Sequence, residues 1–296
     1  MQSQRRLREV YGGPESRFQI MSDRHLEVSQ QYPEFIIPPK APYLILAGDI
    51  GRLKDYQLYL QFLQRQCAAF TMVFLVIGNH EFFGVSQAKG LELARSLENE
   101  PGGQGRLYVL YRNRVNLDHL NIVVLGCTLH SRIPSKDKLM VQVQVSGFHQ
   151  LENWTVDNHN TEHQDDVNWL QQEVNKIRTD KPQRQIFVIT HHAPTIKGTS
   201  KPSDTGSPLS SAFATDLLHT GHLADVQCWI FGHTHFSTEF KRRQVQLVSN
   251  QRGYVLNGIA LQGQAIATSR HFLFCHILRK SSKVERAFDV EKVIKL

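Results

Sequence analysis

Six short apolar runs, each broken off by polar residues, set the tightest limit on what this chain can fold into. They are RFQIM (17–21), YLILA (43–47), TMVFLVI (71–77), LNIVVLG (120–126), RQIFVIT (184–190) and VQCWIF (226–231). All are rich in Val, Ile, Leu or Phe and lack strict polar alternation, which is the pattern of strands covered on both faces; their length favours strand over helix. Between them, residues 56–68 and 165–177 carry apolar side chains every three or four positions and predict helices. Strands alternating with helices imply a layered α/β architecture. Residues 31–42 hold Pro33, Pro38, Pro39 and Pro42, which resist a regular helix. Later, 241–250 and 271–280 read as strands with some alternation, so a second sheet or an antiparallel extension is expected to close the core. PGGQG (101–105) and the stretch from Thr195 to Ser211 read as surface loops, the second long enough to be functional. Without an internal repeat or a linker, the expectation is one domain over residues 1–296.

Histidine is the unusual residue, with 15 in the chain. His25, His80, His191, His192, His233 and His235 fall at the ends of apolar runs. Five runs give way to groups able to bind metal: Ser22-Asp23-Arg24-His25, Gly48-Asp49, Gly78-Asn79-His80-Glu81, His191-His192 and Gly232-His233-Thr234-His235. Ligands of α/β sheets gather at the carboxyl ends of strands, so these groups are expected to meet in one cleft. Carboxylate, imidazole and amide-oxygen donors without thiolate suit divalent ions such as Mn, Fe, Zn or Ni. Asp23, His25 and His235 would hold one ion, Asn79, His191 and His233 a second, and Asp49 would bridge them. Divided between two octahedral ions, these seven donors leave positions open for water and substrate. Two cations about 3.5–4 Å apart acidify a shared water and clamp a phosphoryl group, which is the chemistry of hydrolysis at phosphorus. The glycines before Asp49, Asn79 and His233 fit sharp turns and close approach of backbone to such a cluster.

Asp23-x-His25, Gly48-Asp49, Gly78-Asn79-His80-Glu81, His191 and Gly232-His233-x-His235, in that order, resemble the calcineurin-like metallophosphoesterase superfamily. The resemblance implies a four-layer α/β/β/α sandwich of two mixed sheets, with a dinuclear centre at the C-terminal strand ends and the ligand split given above. It implies that His80 points at the phosphate, where it stabilises the transition state or protonates the leaving oxygen, and that Glu81 is a structural neighbour. Of the pair His191-His192 the family pattern favours the first as ligand. THHAP (190–194), residues 211–217 and residues 249–254 resemble a group of small single-domain microbial and fungal phosphoesterases. The expected activity is cleavage of a small phosphomonoester or phosphodiester, nucleotides and cyclic nucleotides included, by a hydroxide shared between two divalent or mixed-valence ions.

His130, after the fourth run, and Arg252 are candidate substrate contacts; Tyr254 stands beside them, and ordinary packing competes for all three. A formal net charge of +7 permits phosphate-bearing partners without demanding nucleic acid, and the basic runs lack the interleaved aromatics of a base-stacking platform. A nuclease is therefore the second reading, and a non-catalytic scaffold, which would show eroded motifs, the third. Four scattered cysteines, Cys67, Cys127, Cys228 and Cys275, suggest neither thiolate zinc nor a disulfide framework. No apolar stretch approaches the roughly 18 residues of a membrane span, and MQSQRRLREV has no signal-like apolar core, so a cytoplasmic protein without membrane association is expected.

Overall fold

Each of the six apolar runs becomes a strand, and in each the side chains are buried on both faces. In the computed structural model, which describes residues 16–204, 206–219, 222–256, 259–260 and 287–295, they form β1 (Arg17–Met21), β2 (Tyr43–Ala47), β3 (Met72–Val76), β6 (Ile122–Cys127), β7 (Gln185–Thr190) and β8 (Cys228–Phe231). Added to them are β4 (Leu107–Leu110), β5 (Asn113–Leu117), β9 (Glu239–Arg242), β10 (Val245–Ser249), the short pair β11 (Val255–Leu256) and β12 (Ile259–Ala260), and β13 (Val293–Lys295). The helices are α1 (Tyr56–Ala69), α2 (Gln87–Asn99), α3 (Lys138–Gln144), α4 (Gly147–Gln150) and α5 (Val156–Asp180).

The strands make two mixed sheets. One has the order β13-β1-β2-β3-β4, parallel except for β13; the other has the order β5-β6-β7-β8-β10-β9, parallel at its centre with antiparallel β5 and β9 at the edges. Their facing sides share one apolar layer, in which Phe18, Ile45, Phe74 and Val76 meet Val124, Phe187, Ile189 and Ile230. Phe18 and Phe187 pack edge to face at 5.4 Å across it. Burial of such a ring is worth enough that truncating Phe187 to Ala should cost about 3–5 kcal/mol. The outer face of the first sheet is covered by α1 and α2 through Tyr59, Phe62, Leu63, Ala94 and Leu97. The outer face of the second is covered by α5 through Val167, Leu170, Val174 and Ile177. The result is the four-layer α/β/β/α sandwich that the motif resemblance implies.

Three differences from the sequence reading have local causes. The stretch 241–250 is a hairpin rather than one strand: Arg243 adopts φ 56° and turns the chain between β9 and β10. Helix α5 begins at Val156, well before residue 165, because Thr155 caps it, its side chain accepting from the Asn158 N–H while the Asn158 side chain accepts from the Thr155 N–H. After Val156 its first turns bury His159, His163 and Asp166, which hides them from a search for hydrophobic periodicity. Strand β5 escapes notice as NRVNL, an edge strand with mostly exposed polar side chains. The strand expected at 271–280 lies outside the described residues. Among those described, no helix is long and apolar enough to cross a membrane.

Candidate metal centre

The five motif loops leave the carboxyl ends of β1, β2, β3, β7 and β8, and the parallel registers of the two sheets bring those ends together. Backbone bonds then tie loop to loop. Asp23 N–H donates to Gly48 O at 3.0 Å, His25 N–H to Asp49 O at 3.0 Å, and Gly232 N–H to His191 O at 2.9 Å. The loops turn so tightly that Asp23, His25, Asp49, His233 and His235 all adopt positive φ, between 48° and 72°. A non-glycine residue pays roughly 1–3 kcal/mol for such a conformation, and it persists where surrounding structure enforces it, as at functional sites. Gly48, at φ 84°, sits where a Cβ would lie 2.4 Å from His191 Nδ1, and a Cβ on Gly78 would lie 2.3 Å from Asp49 Oδ1. Both positions therefore need glycine for approach, as the motif spacing suggests.

Two clusters of donor atoms result. In the first, His25 Nε2 and His235 Nε2 are 2.9 Å apart, and His235 Nε2 is 3.5 Å from Asp23 Oδ1. In the second, His191 Nε2 is 3.0 Å from Asn79 Oδ1, 3.1 Å from His233 Nδ1 and 3.2 Å from Asp49 Oδ2. Ligands about 2.1 Å from an ion sit roughly 3.0 Å apart in an octahedron and roughly 3.4 Å in a tetrahedron. Donors already at these spacings, with nitrogen lone pairs turned toward one another and toward carboxylates, fit divalent cations. Asp23, His25 and His235 offer one such group, and Asp49, His191 and His233 another, with Asn79 beside it.

The electrostatics agree. Burial, joined by the nearby Asp49 charge, raises the Asp23 carboxyl above its ordinary value. Burial would also raise Asp49, but the His191 and His80 imidazoles hold it well below the carboxylate range. His191 would be lowered by burial, yet Asp49 beside it raises it to about 9. A cluster that retains a proton on a fully buried imidazole attracts positive charge, and a cation supplies it more completely than a proton does. His191 is also oriented for that task, since Nδ1–H donates to Ala47 O at 3.0 Å and leaves Nε2 facing the other donors.

His80 lies at the rim of the two clusters. Its backbone N–H donates to Asp49 Oδ1 at 2.8 Å, its Nδ1 is 2.9 Å from Glu27 Oε1, and its Nε2 is 3.1 Å from the Tyr254 hydroxyl and 3.9 Å from Asp49 Oδ2. Glu81 points away from the donors. Its buried carboxylate accepts from the N–H groups of Gly78 (2.8 Å), Ile50 (2.8 Å) and Asp49 (3.0 Å) and from the Tyr59 hydroxyl (3.0 Å). Glu81 thus clamps the Asp49 and Asn79 loops together, and burial with Asp49 close by pushes its carboxyl up to about 7. Its structural role agrees with the sequence reading.

His192 faces the other way from His191. Its ring lies against His233 at 4.0 Å, tilted by 32°, and joins His130 (5.6 Å) and His159 (5.5 Å) in a second group of buried imidazoles. His130 belongs to that group, with Nδ1 3.7 Å from Asp166 Oδ2, and so sits behind the donor clusters. The Arg252 guanidinium lies 5.2 Å from the centre of the Phe35 ring, and its charge disfavours that of the buried Arg24, whose guanidinium is 3.7 Å from the same ring. Glu27 was not singled out from sequence, although its spacing in Asp23-x-His25-x-Glu27 places it two residues past a candidate ligand. Tyr254, noted beside Arg252, stacks on His25 at 4.2 Å and meets His235 edge-on at 5.0 Å.

A family model described as calcineurin-like phosphoesterase matches residues 17–237. An uncharacterized protein, L509 of Acanthamoeba polyphaga mimivirus, is 26% identical over 229 residues, which cover 72% of this chain and 78% of that protein. Among solved structures, the phosphopantetheinyl hydrolase PptH from Mycobacterium tuberculosis superimposes with a TM-score of 0.61 at 16% identity, covering 82% of this chain and 91% of that one. A dimetal phosphatase from Danio rerio superimposes with a TM-score of 0.48 at 14% identity, covering 84% and 90%. The likeness to PptH shows a shared fold.

Proposed function

This chain belongs to the calcineurin-like phosphoesterase family and is a metal-dependent phosphoester hydrolase; from that premise we propose that it cleaves a small phosphomonoester or phosphodiester at the cluster of Asp23, His25, Asp49, Asn79, His191, His233 and His235, with His80 as the acid. The observation that carries this reading is the convergence of lone-pair donors from five strand ends at 2.9 to 3.5 Å from one another. Asp23, His25 and His235 would hold one ion, Asn79, His191 and His233 the other, and Asp49 would serve both. A nitrogen and oxygen set without thiolate suits Mn, Fe, Zn or Ni. Such ions, when bound, supply Lewis acidity toward phosphoryl oxygens and a water acidified toward neutrality.

The side chains do the rest. Asp49 keeps its charge beside His191 and His80 and orders both loops through its bond from the His80 N–H. Burial would lower the His80 imidazole, but the Asp49 and Glu27 carboxylates raise it above its ordinary value and so favour the ring with its proton. Nε2 can deliver that proton to the departing ester oxygen, which makes a poor leaving group departable. The half-buried Tyr254 phenol, pushed well above its ordinary pKa by burial, stays protonated and offers a neutral hydroxyl to a phosphoryl oxygen at the same place.

Turnover of a chromogenic phosphomonoester and of its bis-ester, measured after reconstitution with each metal in turn and followed by nucleotides, cyclic nucleotides and a polynucleotide, tests the reading. Metal-dependent release from one small ester, at least tenfold faster than from the other, is expected. Metal-loaded protein that cleaves none of the small esters contradicts it, and preference for the polynucleotide favours a nuclease.

A further inference from the structure

The proposed reaction asks His80 to present Nε2 to the leaving oxygen, and the other ring nitrogen has a partner of its own. Glu27 Oε1 accepts from His80 Nδ1–H at 2.9 Å, and the same oxygen lies 3.4 Å from His25 Nδ1, an electrostatic contact longer than a good hydrogen bond. Oε2 meets no hydrogen-bond donor among the described residues, so the directional contacts of this 9% exposed carboxylate run through Oε1 to the two imidazoles. The His80 ring is confined as well, with Phe83 at 4.1 Å and the edge of His25 at 4.4 Å. A flip of the ring would break the bond to Glu27 and turn a carbon toward Tyr254.

We propose that Glu27 is a positioning residue for hydrolysis that acts through His80: by accepting Nδ1–H it fixes the ring and its tautomer so that Nε2 faces the leaving-group oxygen. The inference rests on the acid role given to His80 above. In the step it serves, a water that has given one proton to solvent bonds as hydroxide to phosphorus while the phosphorus–ester oxygen bond breaks. His80 Nε2–H transfers its proton to the departing oxygen, and the ring is left neutral with its Nδ1 proton still held by Glu27. Glu27 gains and loses no proton. The alternative for the same three groups is a cation, since His25, Glu27 and His80 also offer ligand atoms within 4.8 Å of one another.

The test uses the full chain, metal-loaded, with a nitrophenyl ester and an alkyl ester of the same phosphate. In Glu27→Ala, kcat on the alkyl ester should fall roughly 10- to 100-fold, the range for loss of a partner that orients an active imidazole. KM and metal content should stay within about twofold, and the nitrophenyl ester, which needs little protonation, should suffer far less. Glu27→Gln, whose carbonyl oxygen can still accept from Nδ1–H, should recover most of the rate, and Glu27→Ala in a His80→Ala background should cost nothing further. Independently of turnover, a low-field imidazole N–H proton resonance should be present in the wild type and in Glu27→Gln and absent from both His80→Ala and Glu27→Ala. Glu27→Leu replaces Glu27→Ala if the smaller side chain unfolds the protein. Loss of an ion from Glu27→Ala would assign Glu27 to metal binding instead. Equal losses on both esters, or losses that multiply with those of His80→Ala, would show that it does not act through His80. Wild-type protein that binds metal but cleaves neither ester would remove the parent reading, and this role with it.

Discussion

Two sets of buried or half-buried histidines lie side by side at one end of the sheets and differ in what faces them. His25, His80, His191, His233 and His235 share their space with Asp23, Glu27 and Asp49. His130, His159, His163 and His192 face one another, with Trp154, Phe148, His233 against His192 and, for His130 and His163, the single carboxylate of Asp166. Burial costs an imidazole its charge, and at His191 the Asp49 carboxylate 3.2 Å away reverses the sign and raises it to about 9, whereas burial and neighbouring imidazoles hold His159 and His192 well below 6.5, as they do His233 and His235. One residue type thus stands among carboxylates, in an arrangement that fits a cation, in one place and forms a packing layer in the other.

The largest expected effect removes that distinction. Asp49→Asn takes a negative charge from the group it forms with His191 and His233, so metal content should fall and turnover should drop by more than about 100-fold, beyond what loss of an outlying partner costs. Metal analysis beside the rate separates the two losses. His80→Ala should keep both ions and lose roughly 10²–10⁴-fold in rate, the range for a general acid. Between neighbours the contrast is sharper still. His191→Leu should lose an ion, whereas His192→Leu should keep two ions and turn over within about threefold of wild type. Neither ring nitrogen of His192 has a hydrogen-bond partner among the described residues, so the leucine variant should melt no lower than wild type. Tyr254→Phe removes one hydroxyl bond near His80 and should cost about 2- to 10-fold in kcat.

The smallest effect concerns acid stability. A histidine depressed in the folded state stays neutral there while the unfolded chain takes up a proton below about pH 6.5, so stability falls as pH drops beneath that value, by up to about 1.4 kcal/mol per unit for each such group. His159, His163 and His192 all act in that direction. His159→Phe removes one of them, so in metal-stripped protein the decline in melting temperature between pH 7 and pH 5.5 should be shallower than in wild type. An unchanged slope would place the acid sensitivity elsewhere.

Much of the donor set was legible because it is local: each member stands one to four residues beyond a strand whose apolar run announces it. The sandwich was legible for the same reason, since only strands buried on both faces are written as continuous Val, Ile, Leu and Phe. What escaped depends on partners distant in sequence. Glu27 reads as any exposed acid until β3 delivers His80 to it, and Tyr254 acquires meaning only when its loop folds back over His25. The second histidine group was invisible because half of it rides on the polar first turns of α5, and its burial follows from α5 packing on β6 rather than from any pattern in the residues themselves. Arg112 is a similar case, a turn residue at φ 56° whose guanidinium reaches Asp166 Oδ1 at 2.7 Å and so ties the β4–β5 turn to that helix.

Anomalous diffraction from crystals grown with Mn²⁺ addresses the central claim most directly. Two peaks about 3.5–4 Å apart are expected, one within bonding distance of Asp23, His25 and His235, the other of Asn79, His191 and His233, with Asp49 touching both. A single peak, or manganese lodged among His130, His159 and His192 while the carboxylate-facing histidines stay bare, would contradict it.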